Sequence, residues 1–528
     1  MQRAVFLLIT FARVCGVLAG AVAIAAGAAA DAVAAAEVAP TTITVDRGAT
    51  GAPFPHYWEQ MFGSGRAILA LRDSYRRDLR LVKSVTELSA VRFHGILHDE
   101  VGLYNVDDKG NVTYNFSYVD QIYDGLLADK VRPFVELSFM PQKLASDPKG
   151  IFDFWYKPNV SPPKDYAQWD ALIEAFATHL VNRYGIDEVA QWYFEVWNEP
   201  NIGFWAGTPN QSTYFELYDH TAKAVKRANA RLRIGGPSTA QAAWAGDFIA
   251  HTVKDGIPVD FVSSHVYAND SSQDVFHNDI SIARDQMVCK SVRKVHDEIK
   301  ASSMPQLPLI FSEYNASYAN EPNITDSIYM GPWLATTIAQ CDGLTETMSY
   351  WSFSDVFEEG GVVRSPFYGG FGLVAEDGIA KPAYNAFALL HHLGDTRLPT
   401  ESDSALVTRR KDGTMVLALW NYAAPDATGE KYTAPSAPGL SHAPAKSFVV
   451  TVTGATKAAR AVVWRLDQDH GNVVKRFDAM GRPAFPSREQ IVELQKAAAL
   501  SDPEKIAIKA GKLELSIPAH GLALVEIP

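Results

Sequence analysis

A chain of 528 residues with 47% apolar side chains exceeds one small domain and can bury a large core, which excludes a disordered polypeptide. Its net charge of −12 argues against nucleic acid or an anionic membrane as the main partner. No repeat of the length that builds solenoids or propellers runs along it.

Residues 1–36 read as an export signal. Arg3 supplies the positive start, Ala4 to Ala30 is Ala-rich and apolar apart from Arg13, and Ala28-Ala29-Ala30 or Ala34-Ala35-Ala36 offers a small-residue cleavage site. The expectation is a secreted or periplasmic protein with no membrane contact once the signal is removed. Cleavage also removes Cys15 and leaves Cys289 and Cys341, too few for a disulfide framework or a metal cluster. The two either pair or remain buried thiols. Residues 37–50 contain one alternating stretch, Thr42 to Val45, expected to join a β-sandwich from the N-terminal side.

Residues 51–398 alternate short β-branched or aromatic runs with helix-length amphipathic segments. The runs are Tyr57 to Phe62, Ala90 to Leu97, Val131 to Phe139, Gln191 to Trp197, Arg233 to Gly236, Asp260 to Tyr267, Leu309 to Tyr314 and Thr347 to Phe353. Among the helical segments, Asp165 to Tyr184 opens on an Asp cap and stops at Gly185, and Pro382 to Leu393 opens on Pro and ends at Gly394. This order predicts an α/β fold, a (β/α)₈ TIM barrel. Residues 399–528 change texture to β-runs interrupted by one helix (Arg488 to Ala499), which predicts an accessory antiparallel β-sandwich.

Active groups of such barrels collect where the strands end, and Glu199 and Glu313 close runs four and seven. Strand alternation would put Glu195, Trp197 and Glu199 on one face, and Phe311 with Glu313 on one face, so that both carboxylates enter one pocket. A carboxyl pair about 5–5.5 Å apart is what retaining glycoside hydrolysis needs.

The run Trp197-Asn198-Glu199-Pro200-Asn201 resembles the acid/base motif of the large retaining-barrel clan of glycosidases. Seven further segments (MFGSGRAIL, RFHGILHDEVGLY, FVELSFMP, FVSSHVY, FSEYNAS, YWSFSDVFEE and GGFGL) are similar, in the same order, to glycoside hydrolase family 39, the β-xylosidase and α-L-iduronidase family. The resemblance spans about residues 50 to 525 and implies Glu199 as acid/base and Glu313 as nucleophile. It further implies that Asn198 bonds the sugar 2-OH or the nucleophile, and that His265 and Tyr267 lie beside the sugar and nucleophile. By the same resemblance Trp351 forms the floor under the sugar, and Glu358 and Glu359 accept bonds from its 3-OH and 4-OH. His94 and Asp99 are further polar contact candidates. Glu136 and Glu195, inside strands, are expected to pack against a buried partner.

His391-His392 has no third ligand at suitable spacing, so no metal is expected. The absence of a Gly-rich phosphate loop or dinucleotide fingerprint predicts no cofactor. The expected partner is an oligosaccharide or glycoside, and homo-oligomerisation is left open. An exo-acting β-D-xylosidase is the expected activity. The alternatives are an α-L-iduronidase, for which Arg364 is the one basic residue placed near the mouth, an arabinose- or galactose-releasing enzyme, or a non-catalytic sugar-binding protein. The Asn-x-Ser/Thr sequons, Asn315-Ala316-Ser317 among them, are read as chance.

Overall fold

Eight parallel strands close on themselves in sequence order: Met61–Gly63, Ala90–Phe93, Arg132–Leu137, Tyr193–Val196, Arg233–Thr239, Phe261–Tyr267, Leu309–Asn315 and Thr347–Tyr350. The structure, a computed structural model, describes residues 39–363, 365–425, 443–453 and 460–528. The predicted export signal and Arg364 lie outside the described residues. Each predicted run contains or overlaps one barrel strand, and nearly all strand residues are buried, as both faces of a barrel wall are covered. Helices follow the strands. Tyr166–Tyr184 is capped by Asp165, whose carboxylate accepts from the Ala167 amide at 2.8 Å, and it stops at Gly185 with φ 82°. Two helices that the sequence pattern did not delimit, Ser117–Ala128 and Ala245–Asp255, complete the alternation. The Cys289–Cys341 disulfide ties the helix Arg284–Ala301 to the helix Met330–Cys341, which resolves the choice the sequence left open.

Inside the barrel, alternate residues form layers. Met61, Phe134, Phe261 and Ile310 make an apolar plug near the strand starts. Two residues further along strands two, three and four stand Arg92, Glu136 and Glu195, all fully buried. A polar layer at this depth is costly unless every charge is paired.

Among the described residues the C-terminal part forms two sheets. One has seven strands, in the order Ala52–Pro53, Thr396–Leu398, Ala405–Arg409, Met415–Trp420, Leu522–Ile527, Arg460–Leu466 and Glu504–Ala507. The other has three: Thr41–Asp46, Lys446–Thr453 and Lys512–Ile517. Ile43, Val450 and Leu515 pack with Leu417, Val463 and Val525 in a common core. Thr41–Asp46 does enter this unit from the N-terminal side, but it pairs in parallel with Lys446–Thr453, a departure from an all-antiparallel sandwich. The seven-stranded sheet also takes in Ala52–Pro53 and Thr396–Leu398, from within the span 51–398 assigned to the barrel. Strands of two and three residues carry too little periodicity to be read in advance. Pro40–Pro528 form one compact unit. Among the described residues no helix is long and apolar enough to cross a membrane.

Candidate active site

The site lies at the C-terminal ends of the strands, in a cavity of about 360 Å³ whose lining includes Asn198, Glu199, Tyr267, Glu313, Trp351 and Glu359. One oxygen each of Glu199 and Glu313 and one nitrogen of His265 lie within 4.8 Å of one another. The two carboxylates therefore share one cavity.

The route by which they meet differs from simple strand alternation. Strand four ends at Val196, and Trp197 and Glu199 adopt left-handed backbone conformations with φ 71° and 44°. Trp197 turns outward, its indole N–H donating to the Phe204 carbonyl at 2.7 Å, so it does not share the inward face of Glu195. In strand seven the pairing skips Ser312, and the register shifts. Phe311 packs outward in the main core. Ser312 bonds Glu195 inside the barrel, and the irregularity turns the next residue, Glu313, inward as well. Bulges at barrel rims commonly re-aim a side chain in this way. Left-handed non-glycine residues at such a site store strain that the surrounding structure must hold.

Arg92, which sequence reasoning missed, organises the charges. Its guanidinium donates to Glu195 at 2.6 Å, to Glu313 at 2.6 Å and to the Asn198 side-chain oxygen at 3.0 Å, and it pairs with Glu136 at 2.8 Å. The signal was available. Ala90, Arg92 and His94 alternate inward along strand two, and an arginine in an apolar strand requires carboxylates around it. Glu136 and Glu195 thus have the buried partner expected of them.

The two glutamates have different surroundings. Burial, then the charge of Glu313, pushes the Glu199 carboxyl well above the usual range. Burial raises Glu313 too, but Arg92, His94 and the Tyr267 hydroxyl, which donates to it at 2.6 Å, all favour its ionised form. The proton of the pair therefore sits on Glu199. Burial and the neighbouring Arg92 and His94 charges hold His265 well below the ordinary imidazole range, so it is neutral. The Ser312 hydroxyl donates to Glu195 at 2.6 Å, which leaves its oxygen to accept from His265 Nε2 at 3.1 Å. His265 Nδ1 then carries no hydrogen and accepts the Glu199 proton across 3.0 Å.

Other expected residues divide. Arg92 pins the Asn198 carbonyl, leaving its NH₂ toward the cavity. Trp351 is buried against His94, ring centroids 4.8 Å apart, and a Cβ on Gly63 would stand 2.0 Å from its ring, which explains the glycine in MFGSG. His94 lines the cavity and bonds Glu136 at 2.7 Å; burial lowers its pKa, but Glu136 leaves it raised overall. Glu359 lines the cavity, 3.6 Å from His94, and burial lifts its carboxyl to about 8. Glu358 does not line the cavity. It is clamped by Arg66 at 3.2 Å and Arg72 at 2.5 Å, which corrects its expected role as a sugar contact. Asp99 is also absent from the lining; it accepts from the Gln142 amide at 2.9 Å and ties the loops after strands two and three. Asn315 is buried and donates to the Trp351 carbonyl at 2.5 Å, so its sequon cannot carry a glycan. Asp270, not anticipated, lines the cavity and is raised by burial to about 7.

Two groups of ligand-type atoms converge among the described residues: Glu199 and Glu313 of the cavity with His265, which is buried and does not line it, and His56, Glu59 and His391 outside it. The sequence offered no third ligand near His391; folding supplies His56 and Glu59. In the first group His265 and Glu199 are hydrogen-bonded and Glu313 lies 3.6 Å from His265; in the second, Glu59 accepts from His56 at 2.6 Å and from His391 at 3.0 Å.

A closed parallel barrel with two buried carboxyl groups facing each other at its C-terminal mouth is the arrangement of a barrel glycoside hydrolase. The sequence model of the family "Glycosyl hydrolases family 39" matches residues 41–513, and the chain belongs to that family. It is 36% identical over 486 residues to a beta-xylosidase of Geobacillus stearothermophilus, covering 90% of this chain and 93% of that one. A beta-xylosidase of Caldicellulosiruptor saccharolyticus is 34% identical over 501 residues, covering 92% of this chain and 98% of that one. The crystal structure of a monomeric beta-xylosidase from Caulobacter crescentus CB15 superposes with a TM-score of 0.81 at 32% identity, covering 92% of this chain and 99% of that one.

Proposed function

We propose that the protein is a secreted retaining exo-β-D-xylosidase that releases xylose from xylo-oligosaccharides. The observation that carries this reading is the pair Glu199 and Glu313, buried in one cavity with an oxygen of each within 4.8 Å of the other, Glu199 pushed up more strongly by burial and Glu313 faced by Arg92 and the Tyr267 hydroxyl. That spacing suits retention, for which carboxyl groups stand about 5–5.5 Å apart, and not inversion, which needs about 6.5–9.5 Å.

In the first step Glu313 attacks the anomeric carbon while Glu199 gives its proton to the leaving oxygen. The glycosidic C–O bond breaks and a glycosyl ester forms. Ester formation neutralises Glu313, which lowers the cost of charge on Glu199. Glu199 then takes a proton from water as it attacks the anomeric carbon, releasing the sugar and regenerating the Glu313 carboxylate. Asn198 and Glu359 are placed to bond sugar hydroxyls, and Trp351 to lie under the ring.

The named beta-xylosidases, alike over most of the chain, support xylose as the sugar. An iduronidase must hold a carboxylate on C5 with a strong cation. Among the described residues lining the cavity there is no Lys or Arg, and Arg364, the cation expected for that alternative, lies outside the described residues. The leader-like residues 1–36 and the Cys289–Cys341 disulfide support export to an oxidising compartment. The test is a panel of aryl glycosides (β-xyloside, arabinofuranoside, arabinopyranoside, glucoside and iduronide), with the product anomer followed by NMR. Fast release of β-xylose is the expected result; inversion, or preference for another sugar, overturns the reading.

A further inference from the structure

The proton donor defines the side on which the leaving group lies, because Glu199 must reach the glycosidic oxygen. The chain next to Glu199 is apolar. The Ile202 amide donates to the Glu199 carbonyl at 3.2 Å, which places Ile202 one turn beyond the carboxyl. Phe204 follows, stacked on Phe152 with ring centroids 4.0 Å apart, and Phe154 lies 5.3 Å from it. Gly203 permits this approach, since a Cβ there would stand 3.1 Å from the Phe152 ring. From the loop after strand seven, Tyr318 enters the same cavity, its ring edge-on to Tyr267 at 6.2 Å. Asn269 holds that loop by accepting from the Tyr318 amide at 2.9 Å and donating to Ser317 at 3.1 Å.

Ile202 and Tyr318 are 36% and 57% exposed, apolar surface left to water at the mouth of a site. The other polar residues of the cavity are His94, Asn198, Gln241, Asp270 and Glu359, none of them part of the phenylalanine wall. The phenylalanine rings themselves offer no partner to a hydroxyl, and each hydroxyl left unpaired against them when taken out of water is a cost. A flat apolar ring has no such cost and gains buried area and ring contacts there. The cavity of about 360 Å³ is the size that takes a drug-sized ligand, more than one pentose ring.

Resting on the proposed glycosidase reading, we infer that the leaving-group side of this site is a slot for an aromatic or similarly flat, apolar aglycone, so that the preferred substrates are β-xylosides of aromatic alcohols. Glu199 protonates the aglycone oxygen as the C–O bond breaks, and the free alcohol leaves through the apolar mouth.

The test uses the full chain and three substrates: methyl β-D-xyloside, 2-phenylethyl β-D-xyloside and xylobiose. Methanol and 2-phenylethanol are primary alcohols of similar acidity, so a difference between the first two reports contacts with the aglycone and not leaving-group chemistry. The expected kcat/KM for the phenylethyl xyloside is about tenfold or more above that for methyl xyloside, and above that for xylobiose. Ile202→Ala and Tyr318→Ala, both at exposed positions, should each lower the phenylethyl-to-methyl ratio about three- to fivefold, with methyl xyloside turnover reporting on folding. A ratio near one, a clear preference for xylobiose, or variants that leave the ratio unmoved overturns the slot. If no β-xyloside is cleaved, the xylosidase reading falls separately, and the same phenylethyl-to-methyl ratio on whichever glycoside is turned over still decides the slot.

Discussion

Arg92 donates a 2.6 Å hydrogen bond to Glu313 although 221 residues separate them in the chain. The same guanidinium holds Glu195 and Asn198, so one buried cation sets the charge and position of the residues proposed to act on the anomeric carbon. Arg92→Met should therefore damage both fold and activity. Leaving the carboxylates of this layer unpaired costs about 3–5 kcal/mol, read as a loss of thermal stability. Arg92→Lys keeps one charge but cannot fork to several acceptors. It should recover part of the stability and still lose about 10²-fold or more in kcat/KM.

The Tyr267 hydroxyl favours ionised Glu313. Burial and the charge of Glu313 keep the phenol itself protonated. Tyr267→Phe removes a bond to the charged form, so the Glu313 pKa rises and the acidic limb of the kcat/KM profile should move to higher pH. An unmoved limb, or one shifted to lower pH, would contradict this role.

Glu199 and Glu313 should fail differently. Glu313→Ala removes the attacking group, and turnover should drop by several orders of magnitude on every substrate. Glu199→Ala should lose about 10²–10⁴-fold on substrates with poor leaving groups and much less on activated aryl xylosides. Added azide should restore its rate and give a glycosyl azide of retained configuration, visible by NMR. Wild-type behaviour of Glu199→Ala on xylobiose would sink the acid/base assignment.

Glu59 is buried and accepts from His56 and His391. Burial pushes its carboxyl up, but the two imidazoles leave it below its ordinary 4.5. The bond from Glu59 raises His391 above 6.5. A lowered carboxyl stabilises the fold above its unfolded value and loses that contribution as pH falls through the folded one. A raised imidazole stabilises below its unfolded value and loses the contribution as pH rises through the folded one. Both are present together between 4.5 and 6.5. Glu59→Gln should thus lower Tm more at about pH 5.5 than at about pH 9. An equal loss at both would show that His391 carries no charge there.

The Cys289–Cys341 bond closes a loop across a sequence separation of 52. Replacing both cysteines by Ala should cost about 2–4 kcal/mol, while the cavity, built from other elements, keeps its activity at low temperature. A double variant with wild-type Tm would count against any stabilising role for the bond.

The sequence by itself determined the eight strands and their order, because short β-branched or aromatic runs, the Asp165 cap and the Gly185 stop are local signals read within a few residues. Glu199 and Glu313 were also legible, since a barrel collects its active groups at strand ends. What only the tertiary structure decided are relations between distant segments. Arg92 finds its three carboxylates across the barrel, Glu358 is taken from the cavity by Arg66 and Arg72, and Phe152 meets Phe204 beside the acid. The skipped pairing at Ser312 and the left-handed turns at Trp197 and Glu199 lie there too. Strand alternation predicts which way a side chain points only while the ladder is regular, and the ladder breaks at the rim where the chemistry is held.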